Sequence, residues 1–552
     1  MMIYPRLRIE VSYSSTLIAA WAFALAVMSW CAGHAMQGAT ILVLSLLALT
    51  APHGESRMLL PLLFLSERLL DNVMMMGQSP VEFYASTLLS YLTLVVCSGE
   101  RRGSGQRNIF LESVVQAVVG LVVVYVICKD CVFSFAAGAF VLTGFLFFLV
   151  LNPLLGENEA VLIASLAGFY LCDAAINNSM SGNEALLHAG GYFTTKTHIA
   201  GRAAVLSAIF QTIILFIGSK YCMTLRVSNS KSSERSISVP WITFLFWSSL
   251  VGIISIMHAI VSFQFKEDVF LWLWKYITTS RYRLNVLLVW MAVVPISVYC
   301  VDVFTKGVRQ TVRRKLFHLI ALFSFTPVAI VEPQFLSFAL SVVTSIAIIV
   351  ELARYYKVWG SHTLSRFLVD HIDSRESIKG VVRTHIYLMY GLGLSMIFRY
   401  RHEIPQHLQN FPQTPRVMDL AITVIPGLTS LGVVDACAAI VGSTFLLTYR
   451  RALGRYLSNS LYTERANASI THKTTTGTVA GLLFGSFFWA VVLLVTHTLG
   501  ERAAPHTFLL IIVCSVTECF LDGIDNLQLP LVVDGAVHTL FAILLHNPKF
   551  WR

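Results

Sequence analysis

Charged residues are scarce in this chain. Only 13% of its 552 residues are Asp, Glu, Lys or Arg, while 56% are hydrophobic and the mean hydropathy is +0.70. Soluble domains carry about 25% charged residues, and no single water-soluble core could hide this much apolar surface. A disulfide framework is also missing, because the ten cysteines are scattered and lie mostly inside apolar runs. Cys128 and Cys131 flank Lys129-Asp130 at an expected helix end and read as two buried thiols rather than a redox pair. The in–out alternation of barrel strands is absent. The net charge of +10 is not gathered into a Lys/Arg stripe interleaved with aromatics, so no nucleic-acid partner is expected. Nor does the chain hold a G-x-x-x-x-G-K-S/T phosphate loop, the D-F-G and H-R-D pair of protein kinases, or H-E-x-x-H. The usual soluble nucleotide-binding folds are therefore excluded.

Long apolar runs are abundant. About 20 residues of helix cross a bilayer, and lipid offers no partner to an open backbone, so these runs must be helical. The expected fold is all-α, a polytopic integral membrane protein with roughly fifteen transmembrane helices. The run near Ser15–Gly33, after Arg6 and Arg8, reads as an uncleaved first helix. Later spans are expected at 202–219, 240–263, 284–304, 316–331, 334–353, 383–398, 418–448, 477–499, 506–521 and 530–546. The Ser-rich stretch Ser228–Ser238 and the basic stretch Lys306–Lys315 punctuate the chain. The latter places an organisational boundary near 305, dividing 1–304 from 305–552. The first part carries no catalytic constellation, and its Asp71, Asn72 and Asp173 read as structural residues near helix ends.

The placement of charge predicts sidedness. A hairpin turning at Glu332-Pro333 brings Lys306–Lys315 and Arg354–Arg383 to one face, cytosolic by the positive-inside bias. From the basic stretch Tyr449–Lys473 the chain goes out through 477–499 and returns through 506–521, so the acidic turn Asp522–Gln528 lands on the face of Lys473. That face gathers Arg313, Arg314, Lys315 and Lys473 with Asp435, Glu518, Asp522 and Asp525. Cations that hold phosphate oxygens, beside acids that bind Mg²⁺ or accept a hydroxyl proton, suit a metal–nucleotide site.

Within this set, Asp435 stands inside an apolar stretch, where a lone carboxylate is costly unless paired or wet. The competing reading makes it the cap of a helix broken after Pro426-Gly427. His472–Thr478 offers a lysine, hydroxyls and Gly477 at a helix start, where free N–H groups bind phosphate. Glu518, Asp522 and Asp525 recur at helical spacing and could share one face.

Read in order, these segments resemble those of the polyprenol kinase family, dolichol kinase in particular. Arg314-Lys315-Leu316-Phe317-His318 is similar to its R-K-x-F-H entry, and Thr384-His385-Ile386-Tyr387-Leu388 to a T-H-I-Y-L stretch. Asp435 through Gly442 resembles G-D-x-x-A-S-x-x-G, Lys473 through Thr478 resembles K-T-x-E-G-T, and Glu518 with Asp525-Asn526 and Pro530 resembles the E…D-N-L-x-x-P ending. The match covers roughly 305–552. Thr476 stands where the family has Glu, Val434 where Gly commonly precedes the Asp, and the loop Thr448–His472 is longer than usual.

The resemblance implies transfer of a phosphoryl group from CTP to the terminal hydroxyl of dolichol. It places that reaction on the cytosolic side of the endoplasmic reticulum membrane, with Mg²⁺ or another divalent cation as cofactor. The implied catalytic set is Asp435, Lys473, Glu518, Asp525 and Asn526, with Asp435 and Asp525 on the metal. The implied CTP-binding set is Lys473, Thr474, Thr475, Gly477, Thr478, Arg314, Lys315 and His318, and the lipid partners are dolichol and the bilayer itself. Phytol kinase, CTP-dependent diacylglycerol kinase and phosphatidate cytidylyltransferase are the related alternatives. A secondary transporter is the alternative from another class, although no internal repeat is visible.

Overall fold

A computed structural model describes residues 160, 163, 196–229, 239–305, 308, 310–358, 380–398, 414–443, 475–501, 504–520 and 525–546. The runs expected before residue 178, Asp71, Asp173, the Cys128–Cys131 pair and the stretch 449–473 lie outside the described residues. One compact unit comprises Phe193–Asp534, and a second takes Met1–Tyr192 with Gly535–Arg552. Arg314, Lys315, His318, Asp435, Glu518 and Asn526 all fall in the first unit.

Every element among the described residues is helical. They are α1 (Lys196–Asn229), α2 (Val239–Phe265), α3 (Val269–Thr279), α4 (Arg281–Phe304), α5 (Gln310–Val331), α6 (Pro333–Tyr355) and α7 (Thr384–Phe398). Next comes α8 (Thr414–Val424), which runs on as a π-helix over Ile425–Asp435 and as α-helix through 436–443. The last are α9 (Thr475–Val495), α10 (Ala504–Phe520) and α11 (Asp525–His546). Seven helices among the described residues are long and apolar enough to cross a membrane, so the chain is a multi-pass helical membrane protein.

α3 is the helix the sequence reading passed over. At 11 residues it is too short to span, and it is amphipathic, with Trp272 buried and Phe270, Leu271 and Trp274 exposed. Asp268 caps it by accepting the Leu271 N–H at 2.9 Å, and Ser280 caps α4 by accepting from Arg283 N–H at 3.4 Å.

The expected hairpin is present, with α5 and α6 meeting at Glu332 and Pro333 opening α6. The N-terminal end of α4 is tied to that turn. Arg283 Nε donates to Glu332 Oε2 at 2.6 Å, Nη1 donates to the Tyr276 carbonyl oxygen at 2.8 Å, and the guanidinium lies 3.8 Å from the Tyr276 ring centre. Arg283→Met is expected to cost about 1–2 kcal/mol by removing a charge-assisted fork in a half-buried setting. The check is thermal unfolding in detergent, where Arg283→Lys should recover less than half of the loss because an ammonium cannot reproduce the fork.

α1 packs along α2 and α6, α6 along α7, and the π-helical segment is enclosed by α5, α7, α8, α9 and α10. All 11 residues of that segment are buried. Pro426 has no N–H and its ring crowds the carbonyl one turn back, and the widened register relieves this without breaking the helix. Hydroxyls supply extra partners there: Thr429 Oγ1 donates to the Val424 carbonyl at 3.2 Å, and Ser430 Oγ to that of Pro426. The reading of Asp435 as the cap of a broken helix is thereby overturned, because Asp435 closes a continuous helical run.

Candidate functional site

Lys315 and His318 lie in the second and third turns of α5, and both are buried. Their spacing puts them on one face of the helix. Asp435 ends the π-helical segment at 2% exposure, and Asn526 stands in the first turn of α11. These residues, 120 and 208 positions apart in sequence, meet inside the protein. Lys315 Nζ donates to Asp435 Oδ2, and His318 Nε2 stands 3.9 Å from the same oxygen. His318 Nδ1 donates to the Arg314 carbonyl oxygen at 3.0 Å, and Nε2 is 3.2 Å from Asn526 Oδ1. The carboxamide is held from its other side, with Nδ2 donating to the Thr384 carbonyl at 3.4 Å. An ammonium, a carboxylate, an imidazole and a carboxamide therefore share one site built from three helices, against the start of α7.

Close backbone approach makes this convergence possible. Gly427 abuts the carbonyls of Gly391 and Leu392 on α7, and Gly391 abuts the Asn526 carbonyl on α11. Gly481 on α9 lets that helix settle on Val434, the neighbour of Asp435, where an added Cβ would stand 3.0 Å from the Val434 carbonyl oxygen.

Thr475, Gly477 and Thr478 open α9 as expected, with Gly477 buried. Lys473 and Thr474 lie outside the described residues, just before that helix start, and so does the side chain of Asp525. Glu518 is buried near the end of α10 at 5% exposure. The shared helical face expected for Glu518 and Asp525 is not found, because α10 ends at Phe520 and α11 starts at Asp525, so the two acids sit on different helices. Of the expected turn over Asp522–Gln528, Asp525 onward is helix, and the preceding residues lie outside the described ones. Arg314 is half-buried on α5.

Arg354, read as a loop cation, is instead buried in the last turn of α6. It forms a bidentate pair with Glu351, its Nε and Nη2 donating to Oε2 at 2.7 Å and Oε1 at 2.6 Å. Sequence reasoning missed Glu351 and the Thr384 carbonyl as supports of the site. A Glu three residues before an Arg was the only available signal for the former, and nothing in side-chain identity reports a carbonyl.

Among the described residues no three His, Cys, Asp or Glu side chains cluster as a metal site. A cavity of about 360 Å³ lies at the other end of the bundle, lined by Tyr276, Arg283, Glu332, Arg416, Thr423 and Thr496. It is remote from Asp435 and takes no part in the site above.

The fold and this site define a class: a multi-pass helical membrane protein with a polar, charged cluster buried among its helices. The particular likeness is to dolichol kinases. The chain is 22% identical over 354 residues to dolichol kinase EVAN of Arabidopsis thaliana, covering 62% of this chain and 56% of that protein. It is 24% identical to human dolichol kinase over 53% of this chain and 52% of that protein. With dolichol kinase sec59 of Schizosaccharomyces pombe it shares 28% identity over 40% of this chain and 37% of that one. The chain thus spans about half the length of the curated relatives it matches. No protein-family model and no solved structure matches it.

Proposed function

We propose that the chain is a CTP-dependent dolichol kinase of the endoplasmic reticulum membrane. Its site faces the cytosol and it supplies dolichyl phosphate for protein glycosylation. One observation carries this reading: residues of three motifs that resemble the polyprenol kinases, far apart in sequence, meet as Lys315, His318, Asp435 and Asn526. In this reading 305–552 is the catalytic region, 1–304 is a divergent membrane region, and the whole chain crosses the bilayer roughly fifteen times.

In the reaction, the terminal hydroxyl oxygen of dolichol attacks the γ-phosphorus of CTP, CDP leaves, and the hydroxyl proton passes to a neighbouring base. Such transfers need positioning and charge neutralisation more than covalent help. Lys315 and Arg314, with Lys473, Thr474, Thr475, Gly477 and Thr478 at the start of α9, hold phosphate oxygens. His318 and Asn526 fix the floor of the site, and Glu518 adds a buried carboxylate on α10.

A nucleotide-bound Mg²⁺ needs only one or two protein carboxylates. The Asp435 carboxylate, paired with Lys315 Nζ, and the Asn526 carboxamide oxygen, 3.2 Å from His318 Nε2, are oxygen donors of the kind such an ion takes. Asp435 and Asp525 are the residues that would hold the ion, which when bound neutralises phosphate charge.

The test uses the purified full-length chain in detergent with labelled CTP or ATP and either dolichol or diacylglycerol. Transfer from CTP to dolichol is expected. Transfer to diacylglycerol instead would move the chain to a related lipid kinase. No nucleotide consumption in detergent, with solute flux in sealed vesicles, would make it a transporter.

A further inference from the structure

We infer that Glu351 and Arg354 act as a positioning pair that sets the register of α7 against the site; this rests on the kinase reading above. Both side chains are buried, at 6% and 4% exposure, and their bidentate contact lies within the last turn of α6. Each also bonds beyond the helix. Glu351 Oε1 accepts the Val382 backbone N–H at 2.5 Å, and Arg354 Nη2 donates to the Gly380 carbonyl oxygen at 2.5 Å. The pair therefore grips, through main-chain atoms, the short segment that leads into α7.

What that segment positions is the site itself. Two residues beyond Val382, the Thr384 carbonyl accepts from Asn526 Nδ2, and Asn526 in turn meets His318. Further along α7, Gly391 bears on the Asn526 carbonyl, and Gly391 and Leu392 together bear on Gly427 of the π-helical segment that ends at Asp435. Both halves of the site thus rest on α7. At its far end α7 is held to the same helix, α6, where Ser337 Oγ donates to the Met396 carbonyl at 3.0 Å. An ion pair buried in apolar surroundings is a poor source of stability, since apolar residues of the same volume often serve as well. Fixing a backbone segment in one register is a task that apolar residues cannot do, because they offer neither the acceptor for Val382 nor the donor for Gly380.

The double variant Glu351→Met/Arg354→Met separates the two roles. It is expected to melt several degrees below the parent at most, because the two charges of the pair are removed together while the Val382 N–H and the Gly380 carbonyl lose their partners. Its kcat with CTP and dolichol should fall about 10- to 100-fold with both KM values within about twofold, the pattern of displaced reacting groups rather than lost binding. Hydrogen exchange across 380–384 should speed up. Parental kcat and parental exchange would overturn the inference. Should the double variant fail to fold, Val382→Pro removes the gripped N–H, while also fixing φ there and restricting Val381, and leaves the ion pair, and parental kcat in that variant would equally overturn the inference. A parent chain without CTP-dependent lipid phosphorylation would sink the kinase reading instead, and the exchange measurement would then decide the grip by itself.

Discussion

Asp435→Ala is expected to lower CTP-dependent lipid phosphorylation by at least about 10²- to 10³-fold, the usual consequence of deleting a group that organises charge in a dry site. The side chain is 3% exposed and its carboxylate is the counter-ion of Lys315, whose side chain is 10% exposed. Two effects therefore coincide in that variant. The reaction loses an anionic group poised beside His318 and Asn526, and the fold is left with a buried, unmatched ammonium, which costs about 3–5 kcal/mol. Loss of activity in Asp435→Ala would thus follow even if the carboxylate were purely structural.

Pairing the substitutions removes the ambiguity. Lys315→Met/Asp435→Leu carries no unmatched charge and is expected to regain most of the thermal stability lost in Asp435→Ala, while staying inactive. Asp435→Asn keeps the shape and one acceptor for Lys315 but leaves its ammonium without a counter-ion, so it should lose less stability than Asp435→Ala while showing the same deficit. Full turnover in Asp435→Asn would exclude the carboxylate from the chemistry. A double variant that regains activity together with stability would reduce the pair to a structural tie.

The large features of the fold were legible in the sequence because they follow from apolar run length. The α5–α6 hairpin at Glu332-Pro333 and the spans corresponding to α2, α4, α9 and α10 fall close to their expected limits. The convergence of Lys315, Asp435 and Asn526 was legible in outline from motif order and from alternation of sides. The contacts within it were not, because they depend on how closely helices approach at Gly391, Gly427 and Gly481. Three features escaped for distinct physical reasons. α3 is too short for a span-length criterion and shows itself only as an amphipathic turn between two spans. The π-helical register over Ile425–Asp435 leaves the apolar composition unchanged, so Pro426-Gly427 suggested a break. Arg354 stands at the start of a basic stretch of sequence, and its burial and its pairing with Glu351 distinguish it from a membrane anchor.

Gly427→Ala is expected to be one of the most damaging single-carbon changes in the described part of the chain, alongside Gly391→Ala, whose Cβ would press on the Asn526 carbonyl oxygen. An added Cβ would stand 2.7 Å from the Leu392 carbonyl carbon and 2.9 Å from the Gly391 carbonyl oxygen, and closer still to the Leu392 oxygen. Those atoms are helical backbone, so relief requires α7 and the π-helical segment to move apart by about an ångström in a close-packed interior. Overpacking of this kind costs about 1–3 kcal/mol or more, against at most about 1 kcal/mol gained from the better helix propensity of alanine. The displacement also opens the site, because α7 supports Asn526 and the π-helical segment carries Asp435. Gly432→Ala is the matched control: its Cβ would meet Leu322 Cδ1 at 2.9 Å and Leu322 Cβ at 3.2 Å, contacts that a leucine rotamer change and a shift of a few tenths of an ångström relieve without moving backbone onto backbone. Gly427→Ala should therefore lose both melting temperature in detergent micelles and turnover, while Gly432→Ala keeps nearly all of each. Equal behaviour of the two variants would mean that the crossing of α7 over the π-helical segment yields as easily as a leucine rotamer. Such a crossing could not hold Asp435 and Asn526 in fixed relation.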